Sequence, residues 1–225
     1  MNRHHLIYLQ ANETFKFLDT SLAVSIQQKI HQMIEQNIPF TVCRQESVDY
    51  FKVAVSCFID GRKYRVALAL DTVPVQSHKP PLLSVIAENL DTQTQALLQA
   101  FIQKMEQLSC SVQVYGSYAN QYLYKENFVH AQSDLDLLIE VNEMNKLPQI
   151  IQAIEQLKIQ ISITIDGEIA LPTAQNFSFN ELIFALNHQQ DTLIVKELYE
   201  IRLQNIAEIL GGNLYELQQY RTCPA

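Results

Sequence analysis

The thirty residues from Val112 to Val141, VQVYGSYANQYLYKENFVHAQSDLDLLIEV, restrict this chain more than any other stretch. A strand-like run enters Gly116-Ser117, a segment intervenes, and a second strand opens on Ser133-Asp134-Leu135-Asp136. Residues two apart in a strand share a face, so Asp134 and Asp136 project together while Leu135 and Leu137 turn to the core. Adjacent carboxylates raise each other's pKa unless a cation neutralises them. A hard divalent ion such as Mg2+, which prefers oxygen ligands and keeps waters, is the natural solution. Gly116 lets the backbone approach a phosphate with no Cβ in the way. Ser117 adds a hydroxyl and an amide at a helix start, where partial positive charge favours anions. A Gly-Ser turn beside Asp-x-Asp therefore suits a triphosphate and its magnesium ions. A third oxygen donor is expected from the next strand, with Asp166 at the end of SITID as the candidate and Glu168 as its competitor. Each element alone is commonplace; the ordered combination is what carries the reading.

The rest of the chain frames this stretch. At 225 residues it accommodates one domain or two modest ones. Ser21 to Gln36 reads as an amphipathic helix with Leu22, Ile26, Ile30, Met33 and Ile34 on one face, and a short strand follows over Phe40–Cys43. Phe51 to Ile59 and Tyr64 to Leu70 alternate about Asp60-Gly61, the pattern of a tight hairpin. Arg62, Lys63 and Arg65 cluster at its turn, either as a solvated edge or as a contact for a phosphate or an acidic partner. Residues 71–89 hold three of the seven prolines and read as a connection. That gives an N-terminal domain over 1–89, for substrate or partner binding, and a catalytic domain over 90–225. In the second, Asp91 caps a helix to Leu108. Strands are expected over Ser111–Tyr115, Leu135–Val141 and Ile159–Ile165, with Asp166-Gly167 breaking or bending the last and Ile169–Leu171 as a continuation before Pro172. Helices are expected over Glu143–Leu157, from the capping box Ser178-Phe179-Asn180-Glu181 to His188, and over Leu193–Leu210 before Gly211-Gly212. The fold class is α+β: an N-terminal hairpin-containing α/β domain, then a small mixed sheet covered by helices.

Composition removes several function classes. The formal charge of −8 and the lack of a basic run argue against nucleic acid as the main ligand. No apolar run is long enough to span a bilayer, and the opening residues lack a signal-peptide pattern. Cys43, Cys57, Cys110 and Cys223 show no Cys-x-x-Cys spacing, so free thiols in a reducing cytoplasm are expected. His4, His5, His31, His78, His130 and His188 have no metal-ligand spacing. Lys125, Lys196 and Arg202 are available to a phosphate but read first as helix-surface charges.

The Gly-Ser and Asp-x-Asp arrangement resembles the DNA-polymerase-beta-like nucleotidyltransferase superfamily. YGSYANQYLYKENFVHAQSDLDLL more closely resembles the phosphoribosyl-dephospho-CoA transferases that serve malonate decarboxylase, also called its holo-acyl-carrier-protein synthases. RHHLIYL, PPLL, DGEIALP, FNELIFAL and LIVKEL extend the likeness over most of the chain. So does the separation of Ser117 from Asp134 by sixteen residues. One departure stands at Asn120-Gln121, where the family has Trp-Gln; Tyr118 or Tyr122 then offers the aromatic face. The resemblance implies triphosphoribosyl-dephospho-CoA as donor and a serine of the malonate decarboxylase acyl-carrier subunit as acceptor, with diphosphate released. It also implies Asp134 and Asp136 as the catalytic acidic pair and Gly116 and Ser117 as the phosphate-binding turn. Asp166 as a metal ligand is inferred from strand order. The same motif would serve a nucleotidyltransferase acting on a protein or small molecule, and a decayed site would leave a non-catalytic carrier-binding module.

Overall fold

The computed structural model describes residues 1–211, so the expectations for Gly212 and Cys223 lie outside the described residues. The chain divides into two compact units. One takes Met1–Pro80, Leu123–Lys125 and Glu197–Glu200; the other takes Pro81–Tyr122, Glu126–Lys196 and 201–211. The fold is α+β throughout.

The first unit is built on the hairpin. Strands β4 (Phe51–Ile59) and β5 (Arg62–Leu70) pair without a slip from Phe51↔Leu70 to Ile59↔Arg62. Asp60 and Gly61 both take positive φ, +49° and +73°, as a two-residue turn matching the twist of its strands requires. β1 (Leu6–Ile7), β2 (Phe15–Phe17) and β3 (Phe40–Val42) complete an antiparallel sheet of order β1-β3-β4-β5-β2. Helix α1 (Val24–Glu35) packs Ile26, Ile30, Met33 and Ile34 into the core and lies against β4. Each such side chain contributes about 1.5–3 kcal/mol by leaving water. The helix starts later than Ser21 because both the Ser21 amide and hydroxyl donate to Asp19 Oδ1, at 2.9 and 2.6 Å. That local turn competes with the helix for the same backbone.

The second unit holds helices α2 (Leu83–Ala87) and α3 (Thr92–Gln107), then β6 (Ser111–Tyr115), α4 (Gly116–Tyr124) up to Tyr122, and β7 (Leu135–Glu140). A single 3-10 turn precedes α5 (Leu147–Gln160); then come β8 (Ile165–Ala170), β9 (Asn176–Ser178), α6 (Phe179–Asn187), β10 (Thr192–Lys196), β11 (Ile201–Asn205) and α7 (Ile206–Leu210). Asp91 accepts from the amides of Gln93 and Thr94, the expected cap of α3. The sheet order is β11-β10-β9-β8-β7-β6, and β7 and β8 are its parallel pair, joined through α5. Val112, Val114, Leu135, Leu137, Ile139, Ile165 and Ile169 are buried along one face. The alternate face carries Gln113, Asp136, Asp166 and Glu168.

Two expectations fail here, for identifiable reasons. Residues 159–164 are not a strand: α5 runs on through Gln160, and β8 begins at Ile165. The alternating isoleucines imitate a strand, yet Ile159 is 84% exposed at the end of the helix. Asp166-Gly167 therefore sits inside β8, which runs on through Ile169 to Ala170 without a break. The long helix over Leu193–Leu210 is instead a β10–β11 hairpin, with Thr192↔Asn205 and Lys196↔Ile201 in register, followed by the short α7. Leu193 and Val195 are fully buried while Ile194 is exposed, a period of two that the helical reading passed over. The capping box forms by half. Ser178 Oγ accepts from the Glu181 amide, but Glu181 Oε1 accepts from Ile194 N at 3.0 Å and ties α6 to β10.

Cys57 and Cys110 are buried, Cys43 is half-buried, and all three are free thiols; burial pushes the Cys110 thiol up to about 11. No described helix is long and apolar enough to cross a membrane.

Candidate active site

The site is assembled where β6, β7 and β8 run side by side. Tyr115 pairs with Asp136 across the antiparallel ladder, and Asp136 pairs with Asp166 across the parallel one. In-register neighbours on adjacent strands, about 4.8 Å apart, point their side chains to the same face. The two carboxylates therefore stand together on the polar face, both half-buried. Gly116 follows Tyr115 directly and opens α4 with φ at +70°. A Cβ at that position would lie 1.9 Å from Asp136 Oδ2. The bare glycine thus makes room for a carboxylate of its own chain, a use that no local pattern reveals. Ser117 occupies the first turn of α4, where the helix dipole places partial positive charge.

Asp134 precedes β7 and is exposed. It lies close enough to Tyr118 of α4 to help burial raise that phenol's pKa, burial being the larger cause. Asp166 is held firmly: its Oδ1 accepts from the Gly167 amide at 2.7 Å and from Asn180 Nδ2 at 2.9 Å. The competitor Glu168 is engaged elsewhere. It is 4% exposed, and its carboxylate accepts from Lys196 Nζ at 2.9 Å and from Asn176 Nδ2 at 3.5 Å. Lys196 is accordingly a part-buried strand residue and no helix-surface charge. Removing it strands a buried carboxylate, which costs about 3–5 kcal/mol. Lys196→Ala is expected to lower the urea midpoint sharply, and Lys196→Ala/Glu168→Gln to recover much of that loss. Equal midpoints for the single and double variants would refute the pairing.

Sequence reasoning missed two further residues. Asn180, inside the quoted FNELIFAL, reaches back to Asp166. Gln121 Oε1 accepts from Val129 N at 2.9 Å and fastens the long segment between α4 and β7. His130 belongs to the turn entering Asp134: its amide donates to Ser133 Oγ and its Nδ1 accepts from Gln132 N.

Among the described residues, no group of three or more His, Cys, Asp and Glu side chains is gathered to hold a metal ion. The donor set present is a pair of carboxylates beside a helix N-terminus. That fits a magnesium ion, which characteristically takes one or two carboxylates and completes its shell from waters and a ligand's phosphates.

Residues 81–207 match the model of the phosphoribosyl-dephospho-CoA transferase MdcG C-terminal domain. The chain belongs to this family. Its members are enzymes of the transferase class, and the match spans every element of the site, from β6 through the β10–β11 hairpin. Phosphoribosyl-dephospho-CoA transferases from Xanthomonas axonopodis pv. citri (strain 306) and Xanthomonas euvesicatoria pv. vesicatoria (strain 85-10) are each 25% identical to the chain. Both alignments cover 89% of it and 92% of the relative. The counterpart in Xanthomonas campestris pv. campestris (strain 8004) is 24% identical over 80% of this chain and 84% of its own. No solved structure matches significantly.

Proposed function

We propose that this transferase moves phosphoribosyl-dephospho-CoA from triphosphoribosyl-dephospho-CoA to a serine of the malonate decarboxylase acyl-carrier subunit, with release of diphosphate. The observation that carries the reading is the Asp136–Asp166 pair, level across parallel strands with Gly116 flush against Asp136. The names of the family and of the relatives, phosphoribosyl-dephospho-CoA transferase, support the group that is moved.

In this reading the acceptor serine Oγ attacks the donor's α-phosphorus, a new P–O bond forms, and the bond to diphosphate breaks in line. Asp136 and Asp166, aided by Asp134, would hold magnesium, which supplies charge neutralisation at the phosphates and a more acidic acceptor hydroxyl. Gly116 and the first turn of α4, with the Ser117 hydroxyl, bind phosphate oxygens. Tyr118 bounds the same turn and keeps water from it. The polymerase-beta-like superfamily offers the same division of labour. The exposed Arg62, Lys63 and Arg65 at the hairpin turn would draw an acidic carrier toward a chain of net charge −8. Free thiols fit a cytoplasmic setting.

The test is transfer itself. The purified chain, the carrier subunit and Mg2+ are incubated with either triphosphoribosyl-dephospho-CoA or ATP, and the carrier is read by intact mass and peptide mapping. A serine carrying phosphoribosyl-dephospho-CoA, with diphosphate released, is expected. Modification from ATP alone would replace this reading with that of a general nucleotidyltransferase.

A further inference from the structure

Asp166 does not stand alone on β8. Lys158, near the C-terminal end of α5, donates through Nζ to Asn180 Oδ1. Asn180, in the first turn of α6, donates through Nδ2 to Asp166 Oδ1 at 2.9 Å. An asparagine amide can face either way, and what decides is the hydrogen bonding around it. Lysine has donors and no acceptor, so it fixes the Asn180 oxygen toward itself and turns the NH2 toward Asp166. The Gly167 amide takes the same Asp166 oxygen at 2.7 Å. Two donors on Oδ1 fix the rotamer, and Oδ2 is the oxygen left without a donor among the described residues.

We propose that Lys158 and Asn180 are positioning residues that present Asp166 as a one-oxygen ligand, its Oδ2 turned to the cation shared with Asp136. The proposal rests on reading Asp136 and Asp166 as the metal-binding carboxylates. Such a relay has a physical purpose. Asp166 faces a second carboxylate across the ladder, and an unrestrained side chain would rotate away from that repulsion before the cation arrives. Two N–H donors hold it in place instead. The relay also explains why α6 begins directly after β9: Ser178 pairs with Glu168, and the first helical turn then carries Asn180 back to the level of Asp166.

The test uses the full chain and Mn2+ as the probe, with free Mn2+ followed by electron paramagnetic resonance in the presence and absence of triphosphoribosyl-dephospho-CoA. Outer ligands of this kind are worth about 10–100-fold in metal affinity or activity. Asn180→Ala is expected to weaken Mn2+ binding by that factor and to raise the metal concentration for half-maximal turnover equally. Lys158 is exposed, so Lys158→Ala leaves folding intact; it should weaken binding severalfold in the same direction, and Lys158→Arg should restore it. A purely structural role would lower the melting temperature of Asn180→Ala without moving Mn2+ affinity. Unchanged affinity and turnover in both alanine variants, with a wild type that transfers normally, would overturn the relay alone. Mn2+ binding that Asn180→Ala weakens, together with a wild type that never uses the CoA donor, would overturn the proposed substrate and leave the relay standing. A wild type that binds no Mn2+ even with the donor present would overturn the relay as well.

Discussion

Asp136→Asn is expected to cut turnover about a thousandfold while leaving the melting temperature unchanged or slightly raised. The substitution keeps the shape that fits against Gly116, where Oδ2 leaves no room for even a methyl group. It removes the charge that a cation on phosphates needs, an interaction worth several kcal/mol in a transition state. At 1.36 kcal/mol per tenfold, about 4 kcal/mol is a factor of about a thousand. The same change relieves repulsion against Asp166 in the neighbouring strand, so stability should not fall. This opposition of activity and stability is characteristic of a site that crowds like charges together. Steady-state transfer assays alongside thermal melts would read both quantities. A variant retaining a tenth or more of wild-type turnover would remove Asp136 from the reaction.

Gly167→Ala should unfold the protein or cost about 4 kcal/mol or more, at the extreme of single-substitution effects. A Cβ there would lie 1.9 Å from Leu137 O, 2.7 Å from Leu137 N and 2.8 Å from Leu137 C, all backbone atoms of a strand flanked on both sides. No rotamer change relieves a backbone clash, and φ at +149° is itself foreign to residues with a side chain. Gly61→Ala provides the control. It has positive φ but no atom within 4 Å of the added carbon, so only the turn penalty of roughly 1–2 kcal/mol applies. Urea titrations of the two variants should differ widely. Equal midpoints would mean that β7 and β8 are not in the register described.

How far the sequence could be read depended on whether a signal was local. The hairpin about Asp60-Gly61, the Asp91 cap and the α1 stripe were all legible because period and turn chemistry act within a few residues. The β10–β11 hairpin was lost because a run rich in Leu, Ile and Glu satisfies a helical period nearly as well as an alternating one. Pairing with β9 decides between them. The isoleucines of 159–165 misled in the opposite sense: alternation suggested a strand, while packing of Leu157 and Ile161 lets α5 run to Gln160.

The sequence by itself determined the chemistry available at Val112–Val141: a strand into Gly116-Ser117, and Asp134 and Asp136 on the polar side of a strand whose leucines face the core. Apart from Asp134, which lies just before β7, those follow from alternation and from the properties of Gly, Ser and Asp, which need no partner to be read. Tertiary structure alone decided which carboxylate of β8 stands beside Asp136. Asp166 and Glu168 are two residues apart on one face, and nothing local separates them. The parallel register sets Asp166 level with Asp136, Lys196 from a strand 28 residues away in sequence occupies Glu168, and Asn180 turns Asp166 into place. Each of those choices is made by a residue distant in the chain, and distance along the chain is what a local pattern cannot carry.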